Sequence, residues 1–177
     1  MESLKKLEKT VGGWLKDVPH LPAGVSKWIA ENAWWLTIIS VVLGGFAILG
    51  ILGTIALLGS VTAVYGGPVT GVAVAGTVLI GLFVVLAMLV VMVVIEAMAI
   101  SPLKALQKRG WDLIFLVTVI SLVFGVVGAL LSYDFFGVIR SVLGAGVACY
   151  FLFEVVHYFK PAADKKVAAK PAEPAAK

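Results

Sequence analysis

The chain has 177 residues, of which 61% are hydrophobic and 14% charged, with a formal net charge of +4. Soluble domains sit near half apolar and a quarter charged, so this composition excludes an ordinary water-soluble globule. A single cysteine, Cys149, excludes an intrachain disulfide, and two histidines, His20 and His157, are too few for a zinc centre built on histidine. No cofactor or metal is implied.

The first segment, 1–32, reads as an amphipathic, interfacial stretch. Leu4, Leu7, Val11, Trp14, Leu15 and Val18 recur at helical spacing, and Lys5, Lys6, Lys9 and Lys16 lie mostly off that stripe. This is the pattern of a helix lying flat on a membrane with its lysines toward anionic lipid, or of one packed on the protein's own cytoplasmic face. Gly12 and Gly13 weaken it, Pro19 and Pro22 break the chain, and a second short helix from about Ala23 to Asn32 is expected to lead into the first span. The first long apolar run begins near Ala33, too far in for a signal sequence.

A helix needs about 20 apolar residues to cross roughly 30 Å of hydrocarbon. Segments 33–58, 71–100, 111–132 and 135–159 qualify, and none alternates in the manner of barrel strands. The expected fold class is therefore an all-α integral membrane protein, a four-transmembrane-helix bundle over 33–160. Gly59, Gly66, Gly67 and Pro68 punctuate the first connection as a loop or a shallow re-entrant piece. Pro102 is expected to end the second span at Ser101. The tail 161–177 is rich in Pro, Ala and Lys without apolar periodicity and is expected to be disordered; Asp164 and Glu173 dilute its charge and it has no aromatic for base stacking, so no nucleic-acid partner is expected.

The charges orient the spans. Lys104, Lys108 and Arg109 occupy the central turn, lysines precede the first span and follow the fourth, and the two opposite connections carry neither lysine nor arginine. Positive residues stay inside, which puts both termini in the cytoplasm. Trp14, Trp28, Trp34, Trp35 and Trp111 all fall on that side, as headgroup anchors whose amphipathic rings favour the interface.

Ionisable groups within spans are the candidates for chemistry. Glu96, Asp112, Glu154 and His157 sit near the cytoplasmic boundary, where convergence would make a proton or cation site. The alternative is that they reach headgroup water or pair with neighbouring lysines. Arg140 lies early in the fourth span on the other side, placed to snorkel to lipid phosphate or to line a crevice between subunits. No nucleophile, phosphate loop or metal spacing can be read, so an enzyme is not expected. Small residues form rows suited to close helix contact: Gly44, Gly50 and Gly53 in the first span, Ser121 and Gly125 in the third, and Gly137, Ser141 and Ala145 in the fourth.

The central turn, with Pro102, Leu103, Lys104, Lys108, Gly110, Trp111, Leu113 and Phe115, resembles that of a group of small bacterial multi-span membrane proteins. The aromatic end "YFLFEVVHYFK", Tyr150 to Lys160, matches as well. Members often carry a glycine between the proline and the leucine of the turn, which this chain lacks. The resemblance implies a bacterial inner membrane. The expected function is a non-enzymatic membrane component that packs with itself or with other membrane proteins. The alternative is a subunit of a small oligomeric channel or transporter for protons or small cations.

Overall fold

The computed structural model describes residues 2–15, 18–65 and 70–160, and all regular elements among them are helices. They are α1 (Glu2–Trp14), α2 (Ala23–Tyr65), α3 (Thr70–Lys104), α4 (Lys108–Leu131) and α5 (Phe135–Val155), followed by a 3₁₀ turn, Val156–Tyr158. α2 to α5 are long and apolar enough to cross a membrane. A helix satisfies its own backbone donors and acceptors, which is why uninterrupted apolar sequence takes this form where water is absent. The tail 161–177 and Lys16 lie outside the described residues.

Two helices run further than the sequence suggests. The expected short helix at Ala23 is the first part of α2, because nothing between Ala30 and Trp35 interrupts it. The Pro22 carbonyl starts it, accepting from the N–H groups of Val25 (2.8 Å) and Ser26 (3.2 Å). Gly59, expected in a connection, lies inside the same helix. Similarly, α3 does not stop at Ser101 but continues through Pro102 to Lys104. Proline forfeits one N–H bond, yet so close to a helix end the loss is local. Leu103, just beyond it, is buried, and the carbonyls of Ser101, Pro102 and Leu103 all find donors in the following turn.

The turns after α3 and α4 use one device. In each the residue two past the helix adopts positive φ, Leu106 at 49° and Tyr133 at 54°. The next N–H then bonds back five residues, Gln107 to Pro102 (2.9 Å) and Asp134 to Ala129 (2.8 Å). This is a Schellman cap, which normally takes glycine because other side chains are strained there. Asp134 then opens α5, accepting from the Gly137 N–H at 2.8 Å.

Packing is sequential. α2 lies along α3, α3 along α4, and α4 along α5, whereas α2 meets α5 only over a short stretch. That stretch is at the end holding Ala23, Lys104, Lys108 and Tyr158, here termed proximal; the Ser132–Asp134 turn marks the distal end. The buried core is proximal too: Ala30, Ala99, Leu103, Trp111, Phe115, Val155 and Phe159. Trp111 stacks on Phe115 at 5.2 Å, and Phe153 meets both rings edge-on at 5.4 and 5.7 Å. By contrast, 0% of the most apolar stretches of α2 and α3 is buried, so the helices form an array open along most of its length.

The small-residue rows are used in part. A Cβ at Gly44 would lie 2.5 Å from Val93, one at Gly125 2.6 Å from the Ser141 hydroxyl, and one at Gly137 2.9 Å from the Ala129 Cβ. These glycines hold helices close. Gly50 and Gly53 face nothing within 4 Å.

The approach to backbone is at Gly110, where an added Cβ would lie 2.6 Å from the backbone nitrogen of Leu103 and 3.0 Å from the Pro102 carbonyl carbon. Backbone cannot yield as a side chain can. Gly110→Ala should therefore lower stability by about 1–3 kcal/mol, read as a fall in the thermal midpoint in detergent. Gly53→Ala, open on all sides, should show no fall.

Candidate functional site

Glu154 sits in the last turn of α5 with its side chain only 8% exposed. His20 Nδ1 lies 2.7 Å from Oε1, and the Leu21 N–H donates to Oε2 at 3.0 Å. An ionised carboxylate only accepts, so the imidazole carries the shared proton on Nδ1. The linker containing Pro19, His20 and Leu21 is thus tied across the proximal end. Two tyrosines extend the tie: Tyr150 donates to the Pro19 carbonyl (2.7 Å) and Tyr158 to the Ala23 carbonyl (3.1 Å). His157 lies against Tyr158, with ring centroids 4.0 Å apart, and shares with His20, Glu154 and buried Ser26 the lining of a cleft of about 280 Å³.

The other candidates are distributed differently. Asp112 lies 3.5 Å from Lys108, which makes a 2.6 Å bond to Glu8 of α1 and stands 3.2 Å from the centroid of the Trp111 ring. Trp14, Trp28 and Trp35 are exposed, and Trp34 is half-buried beneath Lys104. Trp111, expected in the headgroup layer, is instead 1% exposed, and its indole N–H donates to the Leu152 carbonyl at 2.7 Å. That carbonyl lies near the end of α5 and has a second lone pair to accept it. Of the lysines on α1, Lys6 and Lys9 are exposed, and only the backbone of Lys5 is described.

Glu96 is apart from Glu154 and His157. The Ser40 hydroxyl on α2 donates to its Oε2 at 2.8 Å. Glu96 and Ser121 line two grooves at once. One, of about 540 Å³, is formed mainly by α2 and α3 and includes Ser40 and Gly44. The other, about 320 Å³, lies against α4 and α5 and includes Thr118, Arg140, Ser141, Gly144 and Ala145. The structure therefore places Arg140, assigned from sequence to the opposite side, in one groove with Glu96. Among the described residues no ion pair joins them.

Sequence reasoning missed His20, Ser40 and Thr118. His20 sits in a proline-bounded linker far from Glu154 in sequence, and no local signal joins the two. The serine and threonine are hydroxyls inside apolar helices, where polarity is itself the signal. No family model, no curated protein and no solved structure matches the chain.

The tie at Glu154 has a direct readout. A hydrogen bond to a charged group contributes about 1.5–3 kcal/mol. Glu154→Ala should accelerate amide hydrogen exchange at Leu21 by about tenfold or more while leaving exchange in α4 unchanged; equal rates at Leu21 would show that the linker is held by other contacts.

Proposed function

We propose that this protein is a non-enzymatic integral component of a bacterial inner membrane that associates with copies of itself or with other membrane proteins. The observation that carries the reading is the open array. α2 and α3 present long apolar flanks that the described residues leave uncovered, and on them a Cβ at Gly50 or Gly53 meets nothing within 4 Å. Lipid is as apolar as leucine, so association between such helices depends on close van der Waals packing, which small residues permit.

Charge supports the orientation. Lys104, Lys108, Arg109 and Lys160 gather at the proximal end, and the distal turn Ser132–Asp134 contains no base. Both termini then lie in the cytoplasm. α1 extends the same face. Glu8 pairs with Lys108 and Gly12 abuts Phe153, while exposed Lys6, Lys9 and Trp14 are free to meet anionic lipid.

Two measurements check orientation and anchor. Reporters placed after Lys160 and near Lys108 should read cytoplasmic and one near Gly67 external; an external reading after Lys160 sinks the topology. A peptide of residues 1–18 should gain helicity on anionic vesicles and lose it as salt rises.

Self-association is read by energy transfer between labelled copies at rising dilution in vesicles. Gly50→Leu together with Gly53→Leu should weaken transfer severalfold without lowering the thermal midpoint, because a Cβ at either position points into open space. Transfer equal to that of the native chain would remove this face from the interface.

A further inference from the structure

The groove against α4 and α5 has a charge pattern that selects its occupant. Glu96 lies toward its proximal side and Arg140 toward its distal side, with Thr118, Ser121 and Ser141 also in the lining. Its α5 wall runs from Arg140 to Ala148, about 12 Å of helix. The two charges are opposite and separated, and no ion pair joins them among the described residues. Ser40 is the hydrogen-bond partner of Glu96, on one oxygen. The Ser141 and Thr118 hydroxyls spend their protons on the carbonyls of Gly137 and Ile114, at 2.8 and 3.0 Å, and keep lone pairs for an incoming donor.

A lone cation would meet Arg140 in the same groove, and a lone anion would meet Glu96. A zwitterion satisfies both. Arg140 also lines a second surface, on the outer side of α5, with apolar Phe136, Ile139, Leu143 and Val147. One guanidinium thus stands where a polar groove opens onto an apolar flank. A free small zwitterion would have no use for that flank, whereas a phospholipid would.

The geometry points to a site for one amine-bearing zwitterionic phospholipid, of the phosphatidylethanolamine class. Its phosphate sits on Arg140, whose planar donors suit bidentate phosphate contact. Its ammonium reaches Glu96 and the free lone pairs of the hydroxyls, and its acyl chains lie over Phe136, Ile139, Leu143 and Val147. A trimethylated choline headgroup has no N–H to give and a glycerol headgroup no positive charge, so both bind less well. This site stands whether or not the protein self-associates.

The test is native mass spectrometry of the intact protein taken from vesicles of equal phosphatidylethanolamine, phosphatidylcholine and phosphatidylglycerol. The native chain should retain one ethanolamine lipid about tenfold or more over either competitor, the discrimination of a charge-assisted hydrogen bond. Glu96→Gln should erase the preference, Arg140→Gln should lose all three lipids, and Arg140→Lys should recover binding in part. Gly144 lines both surfaces and a Cβ there meets nothing within 4 Å. Gly144→Trp should therefore block retention with the thermal midpoint unchanged. Equal retention of the three lipids, or ethanolamine retention that survives Glu96→Gln or Gly144→Trp, overturns the site. So does proton flux that Glu96→Gln abolishes while the retained lipid stays the same.

Discussion

The array depends on the burial of Trp111. Its ring stacks on Phe115 and meets Phe153 of α5 edge-on, and its N–H donates to the Leu152 carbonyl near the end of α5. Aromatic burial of this kind combines a large dispersion surface with one obligatory polar partner. Gly110 beside it lets α3 and α4 approach backbone to backbone, which sets Leu103 and Ala99 into the same core. α2 joins through Ala30. α2 consequently meets α5 only near one end, and the rest of each helix is left to its sequence neighbour and to lipid.

Polar pairing follows the same division. At the proximal end, Glu154, Lys108 and the two tyrosines bind the N-terminal segments to the helix ends, so charge there serves the protein's own closure. Deeper, Glu96 and Arg140 do not pair with one another. A charge at that depth costs several kcal/mol when it lacks a partner, which is why such residues point to a bound guest or to water.

How much of this was legible in the chain varies by physical cause. The spans were, because hydrocarbon forces each apolar run to satisfy its own backbone, and composition then gives the element. Their ends were less so. Pro102 suggested a stop that the buried side chain of Leu103 overrides, and Gly59 suggested a loop where apolar helix continues. The site was least visible. α2 and α3 are apolar on every side, so no stripe in the sequence indicates which neighbour Gly44, Ser40 or Glu96 faces. The pairing of Arg140 with the groove of Glu96 arises from helices whose register is set by the turns at Leu106 and Tyr133, and a glycine signal would have marked those turns had glycine been there.

The flanks of the array differ in height. The helices α2 and α3 are 43 and 35 residues long, and α4 and α5 are 24 and 21. Even α3 is longer than α4 by about 16 Å at 1.5 Å per residue. A bilayer around such a body meets two thicknesses at once, and each ångström of mismatch costs a fraction of a kcal/mol. Either the first hairpin tilts, or lipid stretches beside it and relaxes beside the second. Under the proposed self-association, long flanks brought together would share one deformed annulus instead of two, and membrane elasticity would then favour contact on the α2–α3 side.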